Sequence, residues 1–270
     1  MSEYWSLKSY HRFLLCLRAA GYRFLPFQRD LWATQDLSPD AKLCLLRHDV
    51  DADLSAALSM AEIENELSIA ATYFVMLRSP LYNLFSRANH RSVRNILTLG
   101  HHLGLHFDHG FDIKVKPTDA DQIDLEARML EVMFAVDIST VSFHLPSSGL
   151  LQGDVSTGHR VNTYSKAQLR DFHYISDSNR IFPPLSAGPT GGDPIEDWIR
   201  SAPPRLQILI HPMWWVYPES STELVWNRVI ERNFEGAQQQ LLQTERAYGM
   251  RRRVQLVRDD GRPDAVIETR

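Results

Sequence analysis

Hydrophobic positions recur along the chain at two periods. Over residues 6–20, Leu7, Tyr10, Leu14 and Leu17 repeat at helical spacing, with Ser6 in the N-cap position and Gly21 as the stop, which predicts a packing helix. A polar, proline-containing loop then leads to the apolar run 43–46, which enters RHDVD and reads as a buried strand. Residues 54–67 return to helical periodicity behind Asp53 as cap. The cycle repeats through a strand-like TYFVML from Thr72, a helix over 93–99, a strand over 103–107, a helix over 123–136 and a strand over 141–143. Two further strands are predicted at 173–176 and 206–210, with a short helix at 195–201 between them.

Strands that alternate with helices predict parallel β-α units rather than a sandwich. Residues 150–166 are polar, carry Gly153 and Gly158 and read as a long loop over a site. Residues 222–248 read as one helix, either continuous or broken at Gly236, followed by a strongly charged tail over 251–270. There is no internal repeat and no persuasive linker. The expectation is one domain over 1–270, with an N-terminal helix at 6–20, a motif core at 43–215 and a C-terminal helix and charged tail at 220–270.

Composition narrows the class. With 270 residues, 44% hydrophobic and 23% charged, the chain has enough material for a full core. A net charge of -4 gives no electrostatic reason to expect nucleic acid, whose binding rests on clustered Lys and Arg. No apolar run has the length of a membrane span, and the short run 13–17, followed by Arg18, fails as a secretory signal. Cys16 and Cys44 lie in apolar runs without paired spacing and read as buried reduced thiols. A cytoplasmic protein is expected.

Four apolar runs end in ionisable clusters: LRHDVD at 46–51, LGLHFDH at 103–109, SFHLPS at 142–147 and ILIHPMWW at 208–215. In parallel α/β folds ligands bind at the carboxyl ends of strands, so four such ends converge on one cleft. Asp49 and Asp51, two apart, share a face of an extended strand, where one carboxylate can hold a metal and the other move protons. The blander alternative is that Asp51 or Asp53 merely caps the next helix. His102 and His106 have the four-residue spacing of a helical zinc pair, but Gly100, Gly104 and the alternation of Leu103, Leu105 and Phe107 favour a strand. On it His102, Gly104, His106 and Asp108 share a face, with Gly104 permitting close approach, while His101, His102 and His109 taken singly read as structural. His144 and His211 each stand at a strand tip just before a proline-fixed turn. Trp214 and Trp215 point in different directions, so at most one touches substrate. No phosphate-binding loop, dinucleotide fingerprint or nucleophile elbow is present.

In order and content these clusters resemble the polysaccharide deacetylase family of metal-dependent carbohydrate esterases, in particular a branch with RHDVD, GHEIGLHFD, SFHxPS and IHPxWW. The resemblance spans about 43–215. It implies an α/β fold, a distorted (β/α)7-type barrel, and hydrolysis of an acetyl group. Carried over by position, Asp49 is the general base, Asp51 and His106 are metal ligands, and His211 is the general acid. The family's second histidine, four residues after the first, is here Gly110. His144 is the first candidate for the third ligand, followed by His109 and Asp108. Trp214, Asp108 and Asp177, the last in YISDS, are secondary candidates for substrate binding.

The function expected from this resemblance is a metal-dependent deacetylase of an acylated amino sugar, a precursor of a surface glycan, with a divalent ion, zinc first, as cofactor. Two alternatives stay open: a catalytically inactive carbohydrate-binding barrel, and a metal-dependent amidohydrolase of a small metabolite. The partner expected is a glycan or small molecule, with no nucleic acid and no membrane span.

Overall fold

The structure, a computed structural model, describes residues 4–27, 38, 40–109, 119–146, 150–151, 155–169, 171–186, 192–245 and 248. The chain divides into two compact units, residues 1–230 and 231–270. The first holds the sheet and every candidate residue whose position is described. In the second, the described residues continue the long helix Thr222–Thr244, which runs past Gly236 without interruption. The charged tail over 251–270 lies outside the described residues.

In the first unit, helix α1 (Leu7–Ala19) is followed by strand β1 (Arg23–Leu25), β2 (Leu43–Val50), α2 (Leu54–Glu66), β3 (Thr72–Val75), α3 (Arg87–Thr98), β4 (His102–Phe107), α4 (Asp119–Phe134) and β5 (Thr140–Phe143). Then come β6 (Val161–Asn162), α5 (Lys166–Leu169), β7 (His173–Ser176), α6 (Pro194–Ser201), β8 (Arg205–Ile210), α7 (Pro212–Val216) and the start of α8 (Thr222–Thr244). The strands pair in the order β6-β5-β4-β3-β2-β8-β7, with β1 also beside β2. Every ladder is parallel. The sheet curls into a half-barrel of the distorted β/α kind that the motifs imply.

The helix ends follow the capping chemistry of the sequence. Ser6 accepts from the backbone N–H of Ser9 at 3.2 Å, and Gly21 takes φ +88° beyond the C-terminus of α1. Asp53 caps α2 by accepting from the N–H groups of Ser55 and Ala56. The capping role thus belongs to Asp53, and Asp51 is left for other work.

Alternation on β2 decides what faces where. Cys44, Leu46 and Val50 join the large core between sheet and helices, whereas Leu43 and Leu45 join a smaller cluster with Leu25, Phe27, Val161 and Leu169 on the concave side. By the period of two, Arg47 and Asp49 share that concave side with Leu43 and Leu45. Large aromatics such as Trp215 and Phe13 anchor the outer core. Each removes about 150–250 Å² from water, worth about 4–6 kcal/mol before ordering costs.

Two expectations need correction. The proline-containing stretch after α1 contains strand β1, paired with Leu43 to Leu45 of β2. The polar stretch 150–166 is not wholly loop: Val161–Asn162 pairs with Thr140 and Val141 as β6. Both strands are too short to show a period, which is why alternation missed them. No backbone ladder joins β6 to β7 among the described residues. Side chains span the gap instead: the rings of Tyr164 and Tyr174 lie 6.3 Å apart, and the Arg47 guanidinium sits 4.7 Å from the first and 5.8 Å from the second.

Candidate active site

Strand β2 ends at Val50, and its last inward residue, Asp49, leads to Asp51 at the carboxyl end of the sheet. His106 on β4 lies between the two carboxylates. Its Nε2 is 3.0 Å from Asp51 Oδ1, and its Nδ1 is 3.8 Å from Asp49 Oδ2. His144 follows β5, its backbone N–H bonded to Phe107 O at 2.8 Å, which brings Nδ1 to 3.4 Å from the same Asp51 oxygen. The two imidazoles meet edge to face, with centroids 5.2 Å apart. His211, at the end of β8, approaches from the other side, with Nε2 3.7 Å from Asp51 Oδ2. Three histidines from three strands therefore converge on one carboxylate.

The electrostatics follow from that convergence. Burial alone would raise the Asp51 carboxyl, but the hydrogen bonds to His106 and His144 and the charge of His211 hold it well below the usual carboxylate range. The bond to Asp51 raises His144. Burial pulls His211 down, yet Asp177, followed by Asp51 and Asp49, carries it up to about 9.

One ligand atom each from Asp51, His106 and His144 lie within 4.8 Å of one another, a spacing that can hold a metal ion. The donor set fits a divalent ion of the zinc type: two nitrogens and one carboxylate oxygen. A second observation agrees. If Nε2 of His106 serves as ligand, its proton moves to Nδ1, which is buried, has no hydrogen-bond partner among the described residues, and faces Asp49. Metal-bound histidines characteristically present that second nitrogen to a carboxylate. His109 and Asp108 are not in this group, and His109 is exposed. Gly110 lies outside the described residues.

Below the site, Arg47 is fully buried, with Nη2 3.3 Å from Asp49 Oδ2 and 2.7 Å from Tyr164 Oη. Ser142 donates to the same Asp49 oxygen at 2.8 Å. Beside it, Asp177 stands before a 3-10 turn that its side chain does not cap. Instead it accepts from His211 Nδ1 at 2.6 Å, from the His211 backbone N–H and from Trp215 Nε1 at 2.8 Å. Asp49, Asp51, Asp53, His211, Pro212 and Met213 line a narrow recess at this point. Trp214 is 5% exposed and packs edge-on against Trp226, while Trp215 is buried against Trp5, Tyr10 and Phe182. Arg47 and Ser142 have no place among the sequence candidates, and Trp215 enters there only beside Trp214 as a substrate contact, not as a partner of Asp177. Period-two spacing on their own strands, two residues before Asp49 and two before His144, marks the first two.

No family model matches the sequence, and no curated protein does. Solved structures are similar in part. A family 4 carbohydrate esterase from Bacillus anthracis is 12% identical, with 83% of this chain and 86% of that one covered and a TM-score of 0.41. The peptidoglycan deacetylase PdaC from Bacillus subtilis is 13% identical, with 77% and 96% covered and a TM-score of 0.41. BA3943, a CE4 family pseudoenzyme from Bacillus anthracis, is 18% identical, with 74% and 63% covered and a TM-score of 0.39. This chain thus spans less than two thirds of BA3943. Likenesses this distant carry no weight for function, and the chemistry is read from the site's own geometry.

Proposed function

We propose that this protein is a metal-dependent deacetylase that removes an acetyl group from the nitrogen of an acylated amino sugar, a precursor of a surface glycan. The observation that carries the reading is the convergence of His106, His144 and His211 on Asp51, with Asp49 behind them. Such a cluster of buried ionisable groups is costly unless it binds something. The motif resemblance over 43–215 supplies the substrate class.

In this reading Asp51, His106 and His144 hold a divalent ion, zinc first. When bound, the ion supplies Lewis acidity toward the acyl carbonyl and toward water. Asp49 takes the proton from the attacking water as the new C–O bond forms. His211, charged and oriented by Asp177, gives its Nε2 proton to the sugar nitrogen as the C–N bond breaks, so acetate and a free amine leave. Trp215 keeps Asp177 turned toward His211.

The test is metal content and turnover on one preparation never exposed to chelator. About one divalent ion per chain and chelator-sensitive release of acetate from N-acetylated sugars are expected. Protein with neither metal nor metal-stimulated release would overturn the reading.

A further inference from the structure

The two oxygens of Asp49 have different surroundings. Oδ2 accepts from Ser142 Oγ at 2.8 Å, lies 3.3 Å from Arg47 Nη2 and faces His106 Nδ1 at 3.8 Å. Oδ1 is equally buried and has no hydrogen-bond partner among the described residues. Each donor on Oδ2 occupies a lone pair and holds that edge of the carboxylate in place, so Oδ1 is the oxygen left open to a new partner.

Ser142 itself is fully buried on β5, beside His106 in the β4–β5 ladder. A hydroxyl inside a sheet costs free energy unless it is bonded, and packing alone would be served by an apolar residue. Its bond to Asp49 is thus what the hydroxyl supplies. Arg47, held from below by Tyr164, approaches the same oxygen from β2. Residues of β2 and β5 therefore fix one edge of the carboxylate.

We propose that Ser142 is a positioning residue for the deacetylation described above: it ties down Oδ2 so that Oδ1 is the atom that takes the proton from water. The inference rests on that reading, and its test separates the two. Zinc-loaded wild type, Ser142→Ala, Ser142→Thr, Asp49→Asn and the Asp49→Asn/Ser142→Ala double variant are compared on an N-acetylglucosamine disaccharide. Zinc content and melting temperature are read on the same samples.

Ser142→Ala should lower kcat by about tenfold or more, the fold-change expected for a lost hydrogen bond to a charged group. KM and zinc content should stay as in wild type. Ser142→Thr, which keeps the hydroxyl, should recover most of the loss. In the Asp49→Asn background, Ser142→Ala should change kcat less than about twofold, because Ser142 acts only through the base. Unchanged kcat in Ser142→Ala, or equal losses in both backgrounds, would overturn the inference and leave the deacetylase reading standing. A wild type without zinc-dependent turnover would overturn that reading, and this inference with it.

Discussion

Asp177 and His211 are bonded through both side chain and backbone: the ring Nδ1 lies 2.6 Å from Oδ1, and the His211 backbone N–H reaches both carboxylate oxygens at 3.0 and 2.9 Å. Because Nδ1 donates to a buried carboxylate, the imidazolium is favoured and Nε2 is the nitrogen turned toward Asp51. The carboxylate thus fixes the orientation of the ring and favours its charged form.

The leaving group should report on that donor. An amine departs only when protonated, whereas an activated aryl ester leaves as a stable anion. His211→Ala should therefore lower turnover of an N-acetyl sugar by roughly a hundredfold or more, and that of an aryl acetate much less. Asp177→Asn, which removes the charge that raises His211, should shift both substrates in the same sense but by less. Rates on the two substrates from one preparation check this, and equal proportional losses would remove His211 from the acid role.

Metal affinity should separate His144 from His109 as the third ligand. Asp51→Ala, His106→Ala and His144→Ala each take away one of the three converging atoms. Each should weaken zinc binding by at least about a hundredfold, the upper end of what the loss of a mere outer-shell partner costs. His109 is exposed and outside the group, so His109→Ala should bind as wild type does. Zinc titration of the four variants decides, and full zinc affinity in His144→Ala would sink its assignment.

On the outer face of β2, Glu64 of α2 accepts from Tyr10 and Tyr73 and pairs with His48 at 2.5 Å, with His101 at 3.5 Å. Burial would raise the Glu64 carboxyl, but His48 and its other partners bring it below its ordinary 4.5. A depressed carboxylate contributes stability that is fully present above 4.5 and is lost as pH falls through the lower folded value. Burial also lowers His101 below its ordinary 6.5, so protonation of the unfolded chain opposes folding from that pH downward. Glu64→Gln should be less stable at neutral pH and should lose stability less steeply between about pH 5 and 3. Urea unfolding across that range measures it, and parallel curves for the two proteins would show that the carboxylate does not carry the acid sensitivity.

The amphipathic helices were legible because burial on one side imposes a period, and the long strands β2 and β4 because burial on both faces writes them as apolar runs. Asp49, Asp51, His106, His144 and His211 were legible because each stands where an apolar run ends. What escaped was the support: Arg47 and Ser142 sit inside those same runs, where period-two spacing marks the face they share with Asp49 and His144 but not the partners they bond. Trp215 escaped for a related reason. Its indole fills the outer core with one edge and holds Asp177 with the other, and no local pattern announces a bond to a residue 38 positions away.

Gly104 links the packing of the half-barrel to its chemistry. A Cβ at this position would meet the Phe74 ring at 2.5 and 2.6 Å, closer than two carbons can approach, so Phe74 must move if Gly104 becomes alanine. Phe74 lies on β3, directly across the ladder from Gly104, and its ring centroid is 5.8 Å from the Arg47 guanidinium. Arg47 in turn stands 3.3 Å from the Asp49 carboxylate. Gly104→Ala should cost about 1–3 kcal/mol of stability, the usual penalty for overfilling a packed interior. It should also lower kcat at saturating zinc through the displaced Phe74 and Arg47. Phe74→Leu makes room for the added methyl, so the Gly104→Ala/Phe74→Leu pair should regain part of the lost melting temperature, a non-additivity expected of residues in contact. Melting curves of the two single variants and the pair settle the matter. If the two single losses simply add, the close approach of Gly104 to Phe74 is not what the glycine is for.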